Sequence, residues 1–153
     1  MRLEFSIMNI KGVLLLAFLI LCSCSHKKDF DVIIANEWEN CSKENNVCTI
    51  DLSTLMRFEW DTMCYYSSAL SLEEINSDLG FDFTEFTDIE DRIIFLNKGR
   101  MVYHKAWFRQ PSKEREGIYI DTKLNKFKIS KDDAKFQLEK AGKAYHLKKI
   151  DSI

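Results

Sequence analysis

Between Arg92 and Arg109 the chain reads RIIFLN, then KG, then RMVYHKAWFR. Two runs rich in β-branched and aromatic residues are separated by a pair suited to a tight reversal, so the segment is predicted to close as an antiparallel hairpin. A lone hairpin is marginal in water, and further strands must extend this one. Arg57 to Tyr66 (RFEWDTMCYY) reads as one of them, with Phe58, Trp60, Thr62, Cys64 and Tyr66 on one face and Glu59, Asp61, Met63 and Tyr65 on the other. The single proline, Pro111, opens a charged loop, Ser112 to Gly117, and Ile118 to Asp121 and Phe127 to Ile129 follow as short strands. In the tail, Ala134, Phe136 and Leu138 alternate with polar residues, although the lead-in Ser130-Lys131-Asp132-Asp133 would suit a helix. Two strands around an Ala141-Gly142 turn are expected, with Tyr145 and Leu147 continuing the apolar face.

Helical signals occur twice. Phe30, Ile33, Ile34, Trp38 and Cys41 recur at helical spacing behind an aspartate, which predicts an amphipathic helix over residues 30–41. Ser71 with Glu74 makes a capping box, Leu72, Ile75 and Leu79 follow at helical intervals, and Gly80 supplies a left-handed stop. Thr49 to Met56 looks like a turn with a short helical piece. The sum is an α+β domain over residues 30–153: an antiparallel sheet of five to six strands with two helices packed on it.

The N-terminus carries a different signal. Arg2 and Lys11 precede the apolar run GVLLLAFLIL, Gly12 to Leu21, which has the shape of a secretion signal. Spanning a bilayer takes ~20 apolar residues, about twice this length. Leu21-Cys22-Ser23-Cys24 resembles the lipobox of bacterial lipoproteins, with Cys24 as the acylated residue. Cys22 is the rival acceptor, but Leu21 would then fill a cleavage pocket made for small side chains. Met8 is an alternative start. The resemblance implies a signal peptide over 1–23, a lipid-anchored stalk over 24–29, and membrane attachment through lipid on Cys24. Several buried acyl chains hold far more firmly than one. Ser25, where aspartate would favour retention at the inner membrane, points to an outer membrane facing the periplasm if the host is Gram-negative.

Removing residues 1–23 leaves about 130 residues, enough for one core, with 20 basic against 23 acidic side chains. That balance does not suggest nucleic acid. In an oxidising compartment Cys41, Cys48 and Cys64 remain beside the lipidated cysteine. Cys41 and Cys48 flank the polar stretch Ser-Lys-Glu-Asn-Asn-Val and are the candidate disulfide, a short loop worth ~2 to 3 kcal/mol by chain entropy. Cys64 lies in a strand pattern and reads as a buried free thiol.

The chain has no nucleophile elbow, metalloprotease helix, P-loop or dinucleotide fingerprint. Catalytic residues, metal ligands and cofactors are therefore assigned to none of its positions. His104 and His146 read as structural strand residues. Asp82, Glu85, Asp88, Glu90 and Asp91 are interleaved with Phe81, Phe83, Phe86 and Ile89 and lack calcium-loop spacing. They read as a solvated loop pinned by aromatics or, more sharply, as a docking surface for a basic partner, with Asp82, Glu85 and Asp88 as its contacts. Trp60-Asp61 stands out as well: Trp60 as a core ring or a partner contact, Asp61 as an acceptor for the Thr49 to Ser53 turn or a nearby backbone amide.

Ile50-Asp51-Leu52-Ser53, then Phe58-x-Trp60-Asp61, then Leu72-Glu73-Glu74-Ile75 ending in Leu79-Gly80, resemble a group of small bacterial lipoproteins and exported proteins of uncharacterised function. The likeness spans roughly residues 49–104, and Met63-Cys64 departs from the apolar or aromatic pair usual after Trp-Asp. A looser likeness, in element order alone, is to helix-then-meander modules of lipid-anchored envelope assembly proteins and β-lactamase inhibitor proteins; fold analogy does not establish function. The expectation is a non-enzymatic, lipid-anchored envelope protein that binds a protein partner, as an inhibitor or immunity factor. The alternatives are an envelope structural or assembly role, and a hydrolase assembled from His104, Asp61 or Glu85.

Overall fold

The structure, a computed structural model, describes residues 29–41, 47–108 and 116–150. The signal segment, Cys24, stalk positions 25–28, part of the Cys41–Cys48 loop, the stretch 109–115 with Pro111 and most of the expected Ser112 to Gly117 loop, and positions 151–153 lie outside the described residues. Helix α1, Phe30–Asn40, starts where the Asp29 side chain accepts a bond from the Asp31 amide, and it buries Phe30, Ile34 and Trp38 as its spacing predicts. Asp51 repeats that capping geometry at the Ser53 amide and converts strand β1, Val47–Asp51, into the single-turn helix α2, Leu52–Leu55.

The remaining elements are β2 Thr62–Tyr66, α3 Leu72–Leu79, β3 Glu90–Asn97, β4 Arg100–Phe108, β5 Glu116–Ile120, β6 Lys126–Ser130, a 3₁₀ turn Lys131–Asp133, β7 Lys135–Ala141 and β8 Lys143–Lys149. The α+β class, the β3–β4 hairpin, the capped α3 and the paired tail strands agree with the sequence reading.

The strands do not form the one sheet of five to six expected. They form two four-stranded sheets, ordered β1-β7-β8-β5 and β4-β3-β2-β6. The short helical piece expected within Thr49 to Met56 is α2, but the turn expected before it is the strand β1, whose partner β7 lies far along the chain, with Cys48 opposite Leu138 and Ile50 opposite Phe136. A run of five residues carries little periodicity of its own, so the long-range partner decides its state. The β5–β8 pair is parallel, whereas the other ladders among the described residues are antiparallel.

The expected strand from Arg57 also shortens to Thr62–Tyr66. Asp61 donates its amide to Leu96 O and accepts from Lys131 N at 2.8 Å each, which bends the chain and resets the alternation. Trp60 consequently joins Met63 and Tyr65 rather than Cys64 and Tyr66.

Met63, Tyr65, Ile93 and Phe95 of one sheet meet Ile50, Phe136, Leu138 and Leu147 of the other, together with Phe30 and Ile34 of α1. This is the main core. A second, smaller cluster lies on the outer face of β2 and β3, where Cys64, Tyr66, Ile94 and Leu96 are covered by Ile75 of α3 and by Phe83.

Candidate functional site

The loop that follows α3 crosses the outer face of β3 and β4, and its path is set one residue at a time. Ser71 and Glu74 form the capping box at the start of α3, with the Ser71 amide donating to Glu74 Oε2 at 2.8 Å. Gly80 ends the helix at φ +79, a left-handed conformation that glycine adopts without a Cβ penalty. Asn76 then reaches forward: its Oδ1 accepts from the Phe83 amide at 2.8 Å, and its Nδ2 donates to Asp82 Oδ1 at 3.5 Å. Phe83 is buried edge-on to the His104 ring, with centroids 5.6 Å apart. His104 Nε2 in turn lies 3.3 Å from Glu85 Oε2.

Farther along, the Phe86 ring faces the Arg92 guanidinium at 4.3 Å. Arg92 is 1% exposed; its Nη2 donates to Thr87 O at 2.6 Å and Glu90 O at 2.9 Å, while Nε and Nη1 have no partner among the described residues. Burial pulls this guanidinium below its ordinary pKa, partly offset by the charges of Glu90, Asp91 and Asp88. The loop ends at Ile89, a β-branched residue at φ +65 that is 60% exposed. That combination is unusual, because the left-handed region crowds a branched Cβ.

The helix above the loop is clasped by charge. Asp78 accepts from the Tyr66 hydroxyl at 2.7 Å and Lys126 Nζ at 3.0 Å, and Lys128 Nζ bridges its Oδ2 at 3.0 Å and its backbone O at 2.6 Å. Burial works to raise the Asp78 pKa, but the tyrosine and the two lysines outweigh it and hold the group at about 2. Burial, then the neighbouring carboxylate, pushes the Tyr66 phenol well up. Cys64, the free cysteine beneath, is fully buried and its thiol is raised by desolvation, which makes it an inert apolar filler rather than a nucleophile.

Beside α3 lies a shallow, open depression of about 650 Å³ lined by the half-buried Leu72 and Phe81 together with Glu73, Asn76 and Asp82. Glu73, Asp82, Glu85 and Asp88 are all exposed, so the depression and the loop present carboxylates along one continuous stretch of chain. Asp82, Glu85 and Asp88 are thus all exposed on this one loop. Trp60 does not join them: it is 3% exposed in the main core, edge-on to Phe95 at 4.9 Å. A partner-contact role for Trp60 is therefore corrected to a core role. Asp61 bonds a nearby backbone amide, Lys98 N at 2.5 Å, and the Thr62 hydroxyl at 2.8 Å, not the Thr49 to Ser53 turn. The Lys98 amide is the main cause of its lowered pKa.

Of the residues named for a hydrolase, His104 and Glu85 face each other at 3.3 Å, and Asp61 stands apart from them. Asp61 closes the turn end of the β3–β4 hairpin, while His104 faces Glu85 in the middle of β4. His146 packs flat against Tyr119 at 5.5 Å and contacts Asp121 at 3.2 Å, on the other sheet. Among the described residues no group of three or more His, Cys, Asp or Glu side chains could hold a metal ion. Cys41 and Cys48 are joined in a disulfide, which ties the end of α1 to β1. Among the described residues no helix is long and apolar enough to cross a membrane.

Sequence reasoning missed the Asp78 clasp, the buried Arg92 and the exposed Ile89. Asp78, Lys126 and Lys128 carry no common motif, because β6 reaches α3 only through its pairing with β2. The alternation of Lys126 and Lys128 around Phe127 was a usable sign that one face of β6 is polar. No protein-family model, curated protein or solved structure matches this chain.

Proposed function

We propose that this chain is a lipid-anchored protein of the bacterial envelope whose domain is a non-enzymatic binding module of the inhibitor or immunity type. Its docking surface is the depression beside α3 together with the loop carrying Asp82, Glu85 and Asp88, and its partner is a protein that presents a basic segment. One observation carries this reading. A shallow depression lined by the half-buried Leu72 and Phe81 and by the exposed carboxylates Glu73 and Asp82 runs into a loop whose Phe83 and Phe86 pack inward while Asp82, Glu85 and Asp88 stay exposed. Interfaces pair apolar centres with charged rims, and the rim charges set specificity and association rate more than affinity.

The pinning of the loop favours binding too. Phe83, Phe86, Asn76 and His104 hold it in one arrangement before any partner arrives, which reduces the ordering cost of association.

The test is capture from host envelope extract with the lipidated protein in mild detergent, using wild type and an Asp82→Asn, Glu85→Gln, Asp88→Asn variant. A stoichiometric partner that is retained by wild type, lost from the variant and released by rising salt is the expected result. Equal recovery from both proteins would move the surface elsewhere, and recovery of nothing would favour a structural role in the envelope.

A further inference from the structure

Four large apolar side chains are exposed among the described residues: Val32, Ile89, Phe108 and Leu124. Leu124 stands apart, between β5 and β6. The other three gather at one end of the molecule. Asp31, next to Val32, accepts from the Trp107 indole at 3.0 Å, and Phe108 follows Trp107 on the opposite face of the end of β4. Phe108 is the cross-strand partner of Glu90, which follows Ile89. The α1 start, the end of β4 and the start of β3 thus converge there, with 50%, 52% and 60% of Val32, Phe108 and Ile89 left to solvent.

This is also the end at which the chain enters the domain. Cys24 and Asp29 are five residues apart, a reach of at most ~18 Å even when fully extended. We infer that the apolar end formed by Val32, Ile89 and Phe108 rests on the surface of the membrane that holds the anchor, so that the domain has a fixed orientation on the bilayer. This rests on the lipid anchor proposed above.

The occupant follows from the tether length. A domain held this closely meets the bilayer with whichever surface surrounds its first helical turn, and three of the four large apolar side chains exposed among the described residues lie on the segments that meet there. Of the nearby charges, Asp29 and Asp31 are both paired with Lys105, at 3.0 and 2.8 Å, while Asp88, next to Ile89, is exposed and belongs to the acidic loop. Ile89 supports the inference independently of the tether. A branched side chain kept in the left-handed region and turned to solvent carries a conformational cost that water contact does not repay, whereas contact with lipid would. In that orientation α1 runs back from its tethered start to the Cys41–Cys48 disulfide, and Thr49 on β1 lies at the helix's far end.

The experiment places single labelled cysteines by Val32→Cys, Ile89→Cys, Phe108→Cys and, as reference, Thr49→Cys in the lipoprotein purified from bacterial membranes. Each carries an environment-sensitive fluorophore and is reconstituted in phosphatidylcholine vesicles with brominated acyl chains; the four positions are exposed, so the fold is retained. Groups at the interface sit within the headgroup and acyl boundary, and quenching at the three sites about threefold above that at Thr49 is expected. Equal quenching at all four positions, with acyl mass confirmed on the Cys24 peptide, would overturn the orientation while leaving the anchor intact. Absence of acyl mass on Cys24 would overturn the anchor and the orientation together.

Discussion

The two faces of the β4-β3-β2-β6 sheet are both buried, yet they are held by different means. On the inner face Met63, Tyr65, Ile93 and Phe95 enter a cluster built from both sheets and α1. On the outer face Cys64, Tyr66, Ile94 and Leu96 are covered by an eight-residue helix whose one fully buried residue is Ile75, and by a loop anchored at Phe83. Apolar area supplies the first attachment, and it is non-directional and cooperative. The second depends on directional ties: Tyr66 and two lysines on Asp78, Asn76 on Phe83, His104 on Glu85, and Arg92 on Thr87. A surface held by a few polar bonds can be charged and specific while the sheet beneath it stays rigid, which suits a binding face. It can also open by itself, because local stability follows local packing.

Breaking the inner face should have the largest effect. Phe95→Ala removes a ring that touches Phe30, Phe58, Trp60 and Tyr103, and an expected loss of about 3 to 5 kcal/mol would appear as a lower midpoint in cooperative denaturant unfolding. A loss below about 1 kcal/mol would mean that the core is not centred there.

Phe83→Ala tests whether the outer layer behaves as a separate unit. The expected cost is near 3 kcal/mol, with hydrogen exchange accelerated in α3 and the following loop while amides of β7 and β8 keep their protection. Uniform acceleration across the chain would erase the distinction between the two faces.

Acid separates them next. The Asp78 carboxyl sits at about 2 against an ordinary 3.8, so its contribution is fully present above about pH 4 and is lost as pH falls through about 2. The lost stability is roughly 2 kcal/mol, since a tenfold difference in proton affinity between the folded and unfolded chain corresponds to about 1.4 kcal/mol. Acid titration of unfolding free energy should therefore be steeper between pH 4 and 2 in wild type than in an Asp78→Asn variant. Matching slopes would leave the clasp without energetic weight.

The smallest effect concerns the cap. Ser71→Ala removes the hydroxyl that accepts from the Glu74 amide and should cost about 1 kcal/mol, seen mainly as fraying of the first turn of α3. A change spread across the β3–β4 hairpin would show that the helix and the sheet open together.

Local chemistry was the legible part. The capping box at Ser71 and Glu74, the Gly80 stop, the Lys98-Gly99 reversal and the stripe of Phe30, Ile34 and Trp38 all read correctly because each depends on residues within a turn or two. The face assignment of Trp60 failed because a single bend at Asp61, set by bonds to Leu96 and Lys131, reversed the parity of everything before it. The site was half legible. The alternation of carboxylates and phenylalanines after Gly80 announced a loop with aromatics inward, whereas Ile89, grouped with those aromatics in the sequence, turned outward.

The amino-acid sequence by itself determined the α+β class, the hairpin, the principal helices and the acidic loop, since these follow from periodicity, capping and turn chemistry along neighbouring residues. Only the tertiary structure decided that the strands divide into two sheets, that β1 joins β7, that β5 lies parallel to β8, and that Asp78 meets two lysines from β6. Those pairings join segments distant in the chain, and no residue carries a local mark of its distant neighbour. They are chosen by which arrangement buries the most apolar surface while leaving the fewest polar groups unsatisfied.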